Sequence, residues 1–259
     1  MRRYASWLQV PSCEYRLGNE SVREFFYLQR TTLFMTWVKI CGMTNLEDAL
    51  TAVDAGADAV GFVFYEKSPR NISVEAARAI VEKLPESVEK VGVFVDLESE
   101  RIREIVLAVG LGAVQLHGDK SMNCLWEDLR PSAQSVGASK LIPMMYAETL
   151  RDCGFLINED VRDQIFAILL DSRSEVTPGG TGATFDWEST RDIVQAISLL
   201  VPVIVAGGLT PGNVREAMRL FQPFGVDVVS GLEASPGKKD PEKVRAFVKA
   251  VRDADRKTS

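Results

Sequence analysis

A thiol and a carboxylate each stand at the end of a short apolar run, where a buried β-strand would stop. Cys41 closes the run WVKIC, and Asp171 closes AILLD. A thiolate can take a proton from carbon and a carboxylic acid can give one to oxygen, so the pair would suit an isomerisation. Each residue also has a structural alternative, because a single cysteine is often a small buried hydrophobe and a strand-end carboxylate often caps a loop.

The alternation of side chains along these runs predicts which way the two residues point. In the first run Val38 and Ile40 share one face, while Lys39 and Cys41 share the other. If the apolar pair packs against helices, the polar pair points to the opposite side, and the same parity directs Asp171 there. An ammonium group next to Cys41 would then help to hold a thiolate.

Three glycine-rich segments in the last third of the chain are candidate anion sites. They are PGGTGATFDW at 178–187, VAGGLTPGNV at 205–214 and SGLEASPGKKD at 230–240. Glycine lets backbone amides approach a phosphate closely, although glycines that only permit tight turns are the alternative. The spacing matches neither a P-loop nor a dinucleotide fingerprint. The candidate phosphate-binding residues are Gly180, Gly182, Gly207, Gly208, Ser230 and Gly231.

Three further polar residues follow or end apolar runs and are candidate substrate contacts. Arg70, in YEKSPRNIS, could bind a carboxylate through two parallel hydrogen bonds or could be a solvated surface arginine. His117, which closes AVQLH, could bind substrate or only line the site. Asp227, in VDVVSG, could contact a sugar hydroxyl or a neighbouring strand.

Eight short apolar runs predict eight β-strands, and several lack polar alternation, as is typical of parallel strands buried on both faces. Stretches with helical periodicity lie between them, which indicates repeated β–α units. The sequence therefore predicts an α/β fold, a single (β/α)8 TIM barrel, because an open sheet would show shorter or more polar edge strands. The runs are VKIC, AVGFVF, VGVFVD, AVQLH, LIPMM, AILLDS, VPVIVAGG and VDVVSG.

The first 36 residues do not share this rhythm, since they hold five arginines and scattered aromatic residues without a clear period. We predict an N-terminal extension at 1–36 and a barrel catalytic domain at 37–259. MTWVKICG, which begins at Met35, is a natural start for a barrel, so residues 1–34 are expected to be a start-site artefact or a disordered extension. The segment between Met145 and Ala167 has poor periodicity, so its helix is expected to be short or replaced by a loop.

A short sequence pattern recurs at three of the predicted strands: GADAVGF begins at Gly56, GAVQL at Gly112 and GVDVVSG at Gly225. Each glycine is predicted to close the helix before its strand, as a C′ residue with left-handed backbone does.

Composition limits the partners. The net charge of −6 argues against nucleic acid, and no apolar run approaches the ~20 residues of a membrane helix. The cysteines (Cys13, Cys41, Cys124 and Cys153) are widely spaced and His117 is the single histidine, so no metal site is expected. Cysteines without a disulfide framework indicate a reducing, cytoplasmic location.

The same residues, taken in order, resemble a known family. VKICGMTNLEDA, GADAVGFVFYEKSPRNIS, VGVFVD, AVQLHG, ILLDS with GGTGATFDW, AGGLTPGNV and SGLEASPGKKD are together similar to phosphoribosylanthranilate isomerase of tryptophan biosynthesis. The resemblance runs from residue 37 to about residue 251 and implies a TIM barrel without metal or organic cofactor. It implies an Amadori rearrangement of N-(5-phosphoribosyl)anthranilate to 1-(2-carboxyphenylamino)-1-deoxyribulose 5-phosphate.

The resemblance also assigns roles. It implies that Cys41 is the general base, that Asp171 is the general acid and that Arg70 holds the anthranilate carboxylate. The glycine-rich loops would hold the phosphate. The expected partner is this small phosphosugar, bound by a monomer or a homodimer.

Two other functions compete with this one. A related phosphosugar barrel, such as the isomerase of the histidine pathway, would share the phosphate loops but typically has aspartate where Cys41 stands. A non-catalytic barrel that only binds phosphorylated ligands would have no reason to retain Cys41, Asp171 and Arg70 together.

Overall fold

The computed structural model describes residues 35–117, 140–146, 165–171 and 187–256. Within these ranges eight parallel strands close a barrel in chain order, each hydrogen-bonded to its sequence neighbours, and β1 pairs with β8. The predicted barrel is therefore confirmed. The strands are β1 (Trp37–Cys41), β2 (Ala59–Phe64), β3 (Glu89–Val95), β4 (Ala113–His117), β5 (Lys140–Tyr146), β6 (Ile168–Asp171), β7 (Val203–Ala206) and β8 (Gly225–Val228).

Six α-helices within the described ranges coincide with the predicted periodic stretches. They are α1 (Leu46–Ala55), α2 (Val74–Val81), α3 (Ser99–Val109), α4 (Trp187–Ser198), α5 (Val214–Phe221) and α6 (Pro241–Asp255). Local capping explains several starts, because Asn45 accepts from Asp48 N at 2.9 Å and Asp240 precedes a proline at the first turn of α6. A short 3₁₀ helix (Ser230–Leu232) and an antiparallel hairpin of β9 (Glu233–Ser235) and β10 (Lys238–Lys239) follow β8.

The predicted helix-closing glycines are correct at one position of three. Gly56 caps α1 with φ 94°. The cap of α3 is Gly110, however, with φ 80°, and α5 ends at Gln222 with φ 46°. Gly225 is instead favoured by packing, since an added Cβ would lie 2.8 Å from the backbone oxygen of Trp37. An added Cβ at Gly112 would meet only the carboxylate end of the Glu89 side chain, which would have to move.

The barrel interior is filled by side chains of one parity from every strand. A cluster of small and branched residues forms its apolar layers, separate from the larger core between strands and helices. The interior cluster consists of Ala59, Val91, Ala113, Ile142, Met144, Ala167, Leu169, Ile204 and Ala206. Val38 and Ile40 belong to the outer core, so the predicted parity of β1 is confirmed.

Strand β1, which carries Cys41, is anchored at its start by the C-terminal helix. The Thr36 hydroxyl donates to Asp255 Oδ1 at 2.6 Å, and Asp58 Oδ2 accepts both from Val38 N at 2.8 Å and from Arg252 Nη2 at 2.7 Å. These bonds fix the first strand against the last helix, so the opposite end of β1 is held in register with β2 and β8.

Several predictions fall outside the described residues. These concern the extension at 1–34, the helix or loop between β5 and β6 at 147–164, and the segment 172–186, which contains Gly180 and Gly182. They stay predictions.

Candidate active site

Cys41 lies where the sequence predicts, at the carboxyl end of β1 with its side chain in the barrel. It is 3% exposed and pairs with Gly61 of β2 in register. A Cβ on Gly61 would lie 2.5 Å from Cys41 Sγ and 3.1 Å from Lys39 Cε, so only glycine leaves room there for both side chains. Sequence reasoning missed Gly61, although its inward parity next to Cys41 would have pointed to it.

Lys39 forms a buried polar layer beneath Cys41. Its ammonium group donates to Gln115 Oε1 at 2.9 Å and to Asp227 Oδ1 at 3.0 Å, and all three residues are almost fully buried. The bonds join β1, β4 and β8 across the interior. Asp227 therefore makes the contact with a neighbouring strand that the sequence left as one of two alternatives, and Gln115 is a site residue that sequence reasoning missed.

The charges around Cys41 act in opposite directions on its thiol. Burial raises the pKa of Cys41, and this effect outweighs the Lys39 ammonium, which lowers the pKa. Asp227 raises it and Lys239, in β10, lowers it. Lys39 itself has a raised pKa, because Asp227 and Cys41 together outweigh its own burial. Lys39 therefore lowers the pKa of Cys41, as the sequence suggests. Its partner Asp227 raises the same pKa and so opposes this effect.

Arg70 follows β2 and meets a carboxylate from the far end of the chain. Its Nε donates to Glu233 Oε1 at 3.1 Å and its Nη2 to Glu233 Oε2 at 2.6 Å. The Arg70 side chain is 23% exposed and that of Glu233 5%. The Arg70 side chain is therefore ion-paired and partly buried, and Glu233 is a further residue of this region that sequence reasoning missed.

Asp171 and His117 occupy the carboxyl ends of their strands, as predicted. Asp171 ends β6 with 5% exposure, in register with Ala206 of β7 and Tyr146 of β5. His117 ends β4, and its ring meets the Tyr146 ring edge-on, with 6.3 Å between the centroids. Both residues have the parity of the interior side chains and so share the barrel mouth with Cys41.

The loops after β7 and β8 interlock at their glycines. Gly207 and Gly208 have φ values of 89° and 63°, which favour glycine, and a Cβ on Gly208 would meet nothing within 4 Å. A Cβ on Gly231 would lie 1.9 Å from Leu209 O, so glycine is needed for the two loops to pack together. Ser230 begins the short 3₁₀ helix. Loops after strands seven and eight, with a short extra helix, commonly bind phosphate in this fold.

Metal-binding clusters and membrane-spanning helices are both absent from the described ranges. Among the residues there, no three or more His, Cys, Asp or Glu side chains are grouped so that they could hold a metal ion. Likewise, none of the helices that the structure describes has the length and apolar character to span a membrane.

The closed (β/α)8 barrel has a thiol and a carboxyl group at the carboxyl ends of β1 and β6. Active sites lie at this end in barrel enzymes, which is the class of protein that the fold indicates. The family model described as N-(5'phosphoribosyl)anthranilate (PRA) isomerase matches residues 38–250. The chain belongs to this family, whose members act in tryptophan biosynthesis.

Relatives of the family match nearly the whole barrel. The isomerase of Rubrobacter xylanophilus is 43% identical over 218 residues, which is 84% of this chain and all of that protein. That of Pseudomonas fluorescens is 45% identical over 217 residues, 83% of this chain and 97% of that protein. The crystal structure of the Thermotoga maritima isomerase has a TM-score of 0.72 at 43% identity, covering 85% of this chain and 100% of that one.

A second solved structure holds a ligand. It is a phosphoribosylanthranilate isomerase in complex with reduced 1-(o-carboxyphenylamino)-1-deoxyribulose 5-phosphate, with a TM-score of 0.67 at 42% identity over 85% of this chain and all of that one.

Proposed function

We propose that Cys41 and Asp171 perform, as general base and general acid, the isomerisation of N-(5'-phosphoribosyl)anthranilate that defines the family. The observation that carries this assignment is the position of Cys41 at the carboxyl end of β1, with its side chain in the barrel on the same face of the strand as Lys39. The Lys39 ammonium supports a base role, because it lowers the pKa of the Cys41 thiol against the effect of burial.

The reaction divides between the two residues. Asp171 donates a proton to the furanose ring oxygen, the bond between that oxygen and C1′ breaks, and a protonated imine forms at C1′. The Cys41 thiolate then removes the proton from C2′, and the electron pair of that bond moves toward the imine to give an enolamine. Loss of the C2′ hydroxyl proton and protonation of C1′ convert the enolamine to the ketone, so substrate and product have the same composition.

Recognition of the substrate would involve the remaining candidates. Arg70 would bind the anthranilate carboxylate through its planar guanidinium, which suits two parallel hydrogen bonds. Ser230 and the glycines of the interlocked loops would bind the phosphate, together with Gly180 and Gly182. His117 would contact the substrate at the mouth. Asp227, paired with Lys39, would act on the substrate through that pair or through a sugar hydroxyl.

Assembly and location are also part of the proposal. A crystal structure of monomers of the dimeric Thermotoga maritima isomerase is 41% identical to this chain. We infer a monomer or a homodimer for this chain and a cytoplasmic location, which suits an enzyme of amino-acid biosynthesis with an unpaired catalytic cysteine.

The activity can be tested with freshly prepared phosphoribosylanthranilate. Full-length protein is expected to accelerate the loss of the substrate's fluorescence well above the non-enzymatic rate, because the acid and the base each contribute about 10²- to 10⁴-fold. Chromatography should show carboxyphenylaminodeoxyribulose phosphate as the product. Decay at the rate of buffer alone would favour the non-catalytic barrel, whereas turnover of the histidine-pathway substrate instead would favour the related isomerase.

Two substitutions beneath Cys41 should move the pH dependence in opposite directions. Lys39→Met removes a charge that lowers the pKa of Cys41, so the pKa rises and the ascending limb of kcat/KM shifts to higher pH. Asp227→Asn removes a charge that raises this pKa, so the limb shifts to lower pH. The measurement is the pH profile of kcat/KM for each variant.

A loss of packing alone would lower activity in both of these variants without opposite shifts, and that result would remove Lys39 from its electrostatic role. Each single variant leaves one buried charge unpaired, which costs about 3–5 kcal/mol of stability. The double variant, which is neutral at both positions, therefore serves as the folding control.

A further inference from the structure

The arginine proposed to bind the substrate carboxylate is itself held by a protein carboxylate. Two nearly parallel hydrogen bonds, from Nε and Nη2 of Arg70 to the two oxygens of Glu233, fix the plane of the guanidinium as well as its position. A single bond would leave the group free to rotate. The geometry of Arg70 is therefore set by Glu233, which lies 163 positions further along the chain.

Glu233 is held in turn on its other side. Its Oε1 also accepts from Lys239 Nζ at 3.3 Å and from Gly237 N at 3.4 Å. Burial raises the pKa of Glu233, but the hydrogen bond from Arg70 and the charge of Lys239 outweigh it, so the pKa lies below the usual value and the side chain is ionised. The Glu233 carboxylate is therefore charged, and hydrogen bonds hold it in position.

The β9–β10 hairpin that carries Glu233 is fastened to the loop after β1. The Thr44 hydroxyl donates to Gly237 O at 2.5 Å, and Lys239 N donates to Asp48 Oδ2 at 2.7 Å. Asp48 is 1% exposed in the first turn of α1. The hairpin that carries Glu233 is therefore hydrogen-bonded both to the loop that follows Cys41 and to the start of α1.

The stem of Arg70 passes directly over the residue after the base. A Cβ on Gly42, which has φ 81°, would lie 3.1 Å from Arg70 Cγ, and a Cβ on Gly237 would lie 3.0 Å from Pro69 O. Two glycines thus give the Arg70 loop its close approach to β1 and to the hairpin. The stem of the Arg70 side chain is consequently held against Gly42, the residue that follows Cys41.

Glu233 is shared by two cations. Arg70 Nη2 lies 2.6 Å from Glu233 Oε2, and Lys239 Nζ lies 3.3 Å from Glu233 Oε1. The carboxylate is therefore held from both sides while it orients Arg70.

We propose that Glu233 is a positioning residue that sets substrate specificity, because it presents the Arg70 guanidinium in the one orientation that receives an ortho-carboxylate on the substrate ring. The inference rests on the proposed role of Arg70. It predicts that loss of Glu233 weakens binding of the anthranilate substrate selectively, and that a phosphoribosylated amine without the ring carboxylate is turned over equally well with or without Glu233.

The test compares Glu233→Gln with the unchanged protein on two substrates, N-(5-phosphoribosyl)anthranilate and N-(5-phosphoribosyl)aniline, with product followed by chromatography. Glu233→Gln keeps the size of the side chain and removes its charge. We expect the KM for the anthranilate substrate to rise about tenfold or more with little change in kcat, since a hydrogen bond to a charged group and a uniform binding contact are lost. The KM for the aniline compound should not change.

Companion variants separate the possible failures. Arg70→Ala should raise the anthranilate KM at least as much, and the double variant should be no worse than Arg70→Ala alone, because the two residues act through one contact. If Arg70→Ala does not distinguish the substrates, the proposed role of Arg70 fails. If Arg70→Ala distinguishes them and Glu233→Gln does not, the inference about Glu233 is overturned.

Two controls address folding and charge. Glu242→Gln removes an exposed carboxylate nearby in α6 and should leave both KM values unchanged. Glu233→Asp keeps the charge but is too short to hold Arg70, Lys239 and Gly237 together, so it should show the same selective rise if orientation matters. Measuring KM over a range of pH separates any effect of Lys239 on the pKa of Cys41 from an effect on substrate binding. An equal rise for both substrates would mean a merely structural role.

Discussion

Cys41→Ala is expected to lower kcat by about 10²- to 10⁴-fold, the contribution of a positioned general base, while substrate binding is retained. Alanine is smaller than cysteine and would occupy the same inward position at the end of β1. Its side chain would therefore not clash with Gly61 or with the Lys39 stem. What is lost is the sulfur atom that we propose takes the C2′ proton. Steady-state turnover by fluorescence measures kcat.

Binding must be followed separately from turnover in this variant. The reduced product analogue that occupies the related isomerase is a suitable probe, and its affinity for Cys41→Ala should stay near that of the unchanged protein. Cys41→Ser is the matched comparison, because it exchanges sulfur for oxygen at the same place and a serine hydroxyl is not ionised in the neutral range. Turnover at the unchanged rate in either variant would remove Cys41 from the role of base.

Asp171→Asn is expected to lower kcat to a similar extent, because the amide has the shape of the carboxyl group but no acidic proton for the ring oxygen. Asp171 is 5% exposed at the end of β6, so a change in size there would disturb packing whereas the isosteric change should not. The measurement is again kcat, together with the affinity for the reduced product analogue.

The control for Asp171 is Asp192→Asn in α4, where the carboxylate is 80% exposed. It makes the same chemical change at an exposed position on a helix and should leave kcat unaltered. The double variant Cys41→Ala with Asp171→Asn should lose less than the product of the two single losses, since residues that serve one reaction act as a unit. Ring opening that proceeds normally in Asp171→Asn would contradict the acid role.

The sequence predicts the barrel because its signals are local. A strand buried on both faces needs a continuous apolar run, and a helix packed on a sheet needs apolar residues at helical spacing, so eight strands and six helices are readable one at a time. The inward direction of Cys41 follows from alternation alone. The errors at Gly112 and Gly225 arise because a glycine before a strand can serve close packing as well as a left-handed turn.

The partners of the site residues are not readable in this way. The sequence does not decide whether Arg70 contacts substrate or is a solvated surface side chain. Nor does it decide whether Asp227 contacts a sugar hydroxyl or a neighbouring strand. Nothing near either residue in the sequence distinguishes these alternatives. Glu233 lies in a segment whose glycines led to the prediction of a phosphate-binding loop. Its hydrogen bonds to Arg70 depend on the meeting of the β9–β10 hairpin with the loop after β2.

By itself, therefore, the sequence determined the (β/α)8 fold, the family and the strand-end positions of Cys41, Asp171 and His117. These depend on periodicity and on residue types within a few positions of one another. Only the tertiary structure decided that Lys39 pairs with Asp227 and that Glu233 holds Arg70. These contacts join residues 188 and 163 positions apart, and they exist because closing the barrel brings β1, the loop after β2 and the chain around and after β8 together.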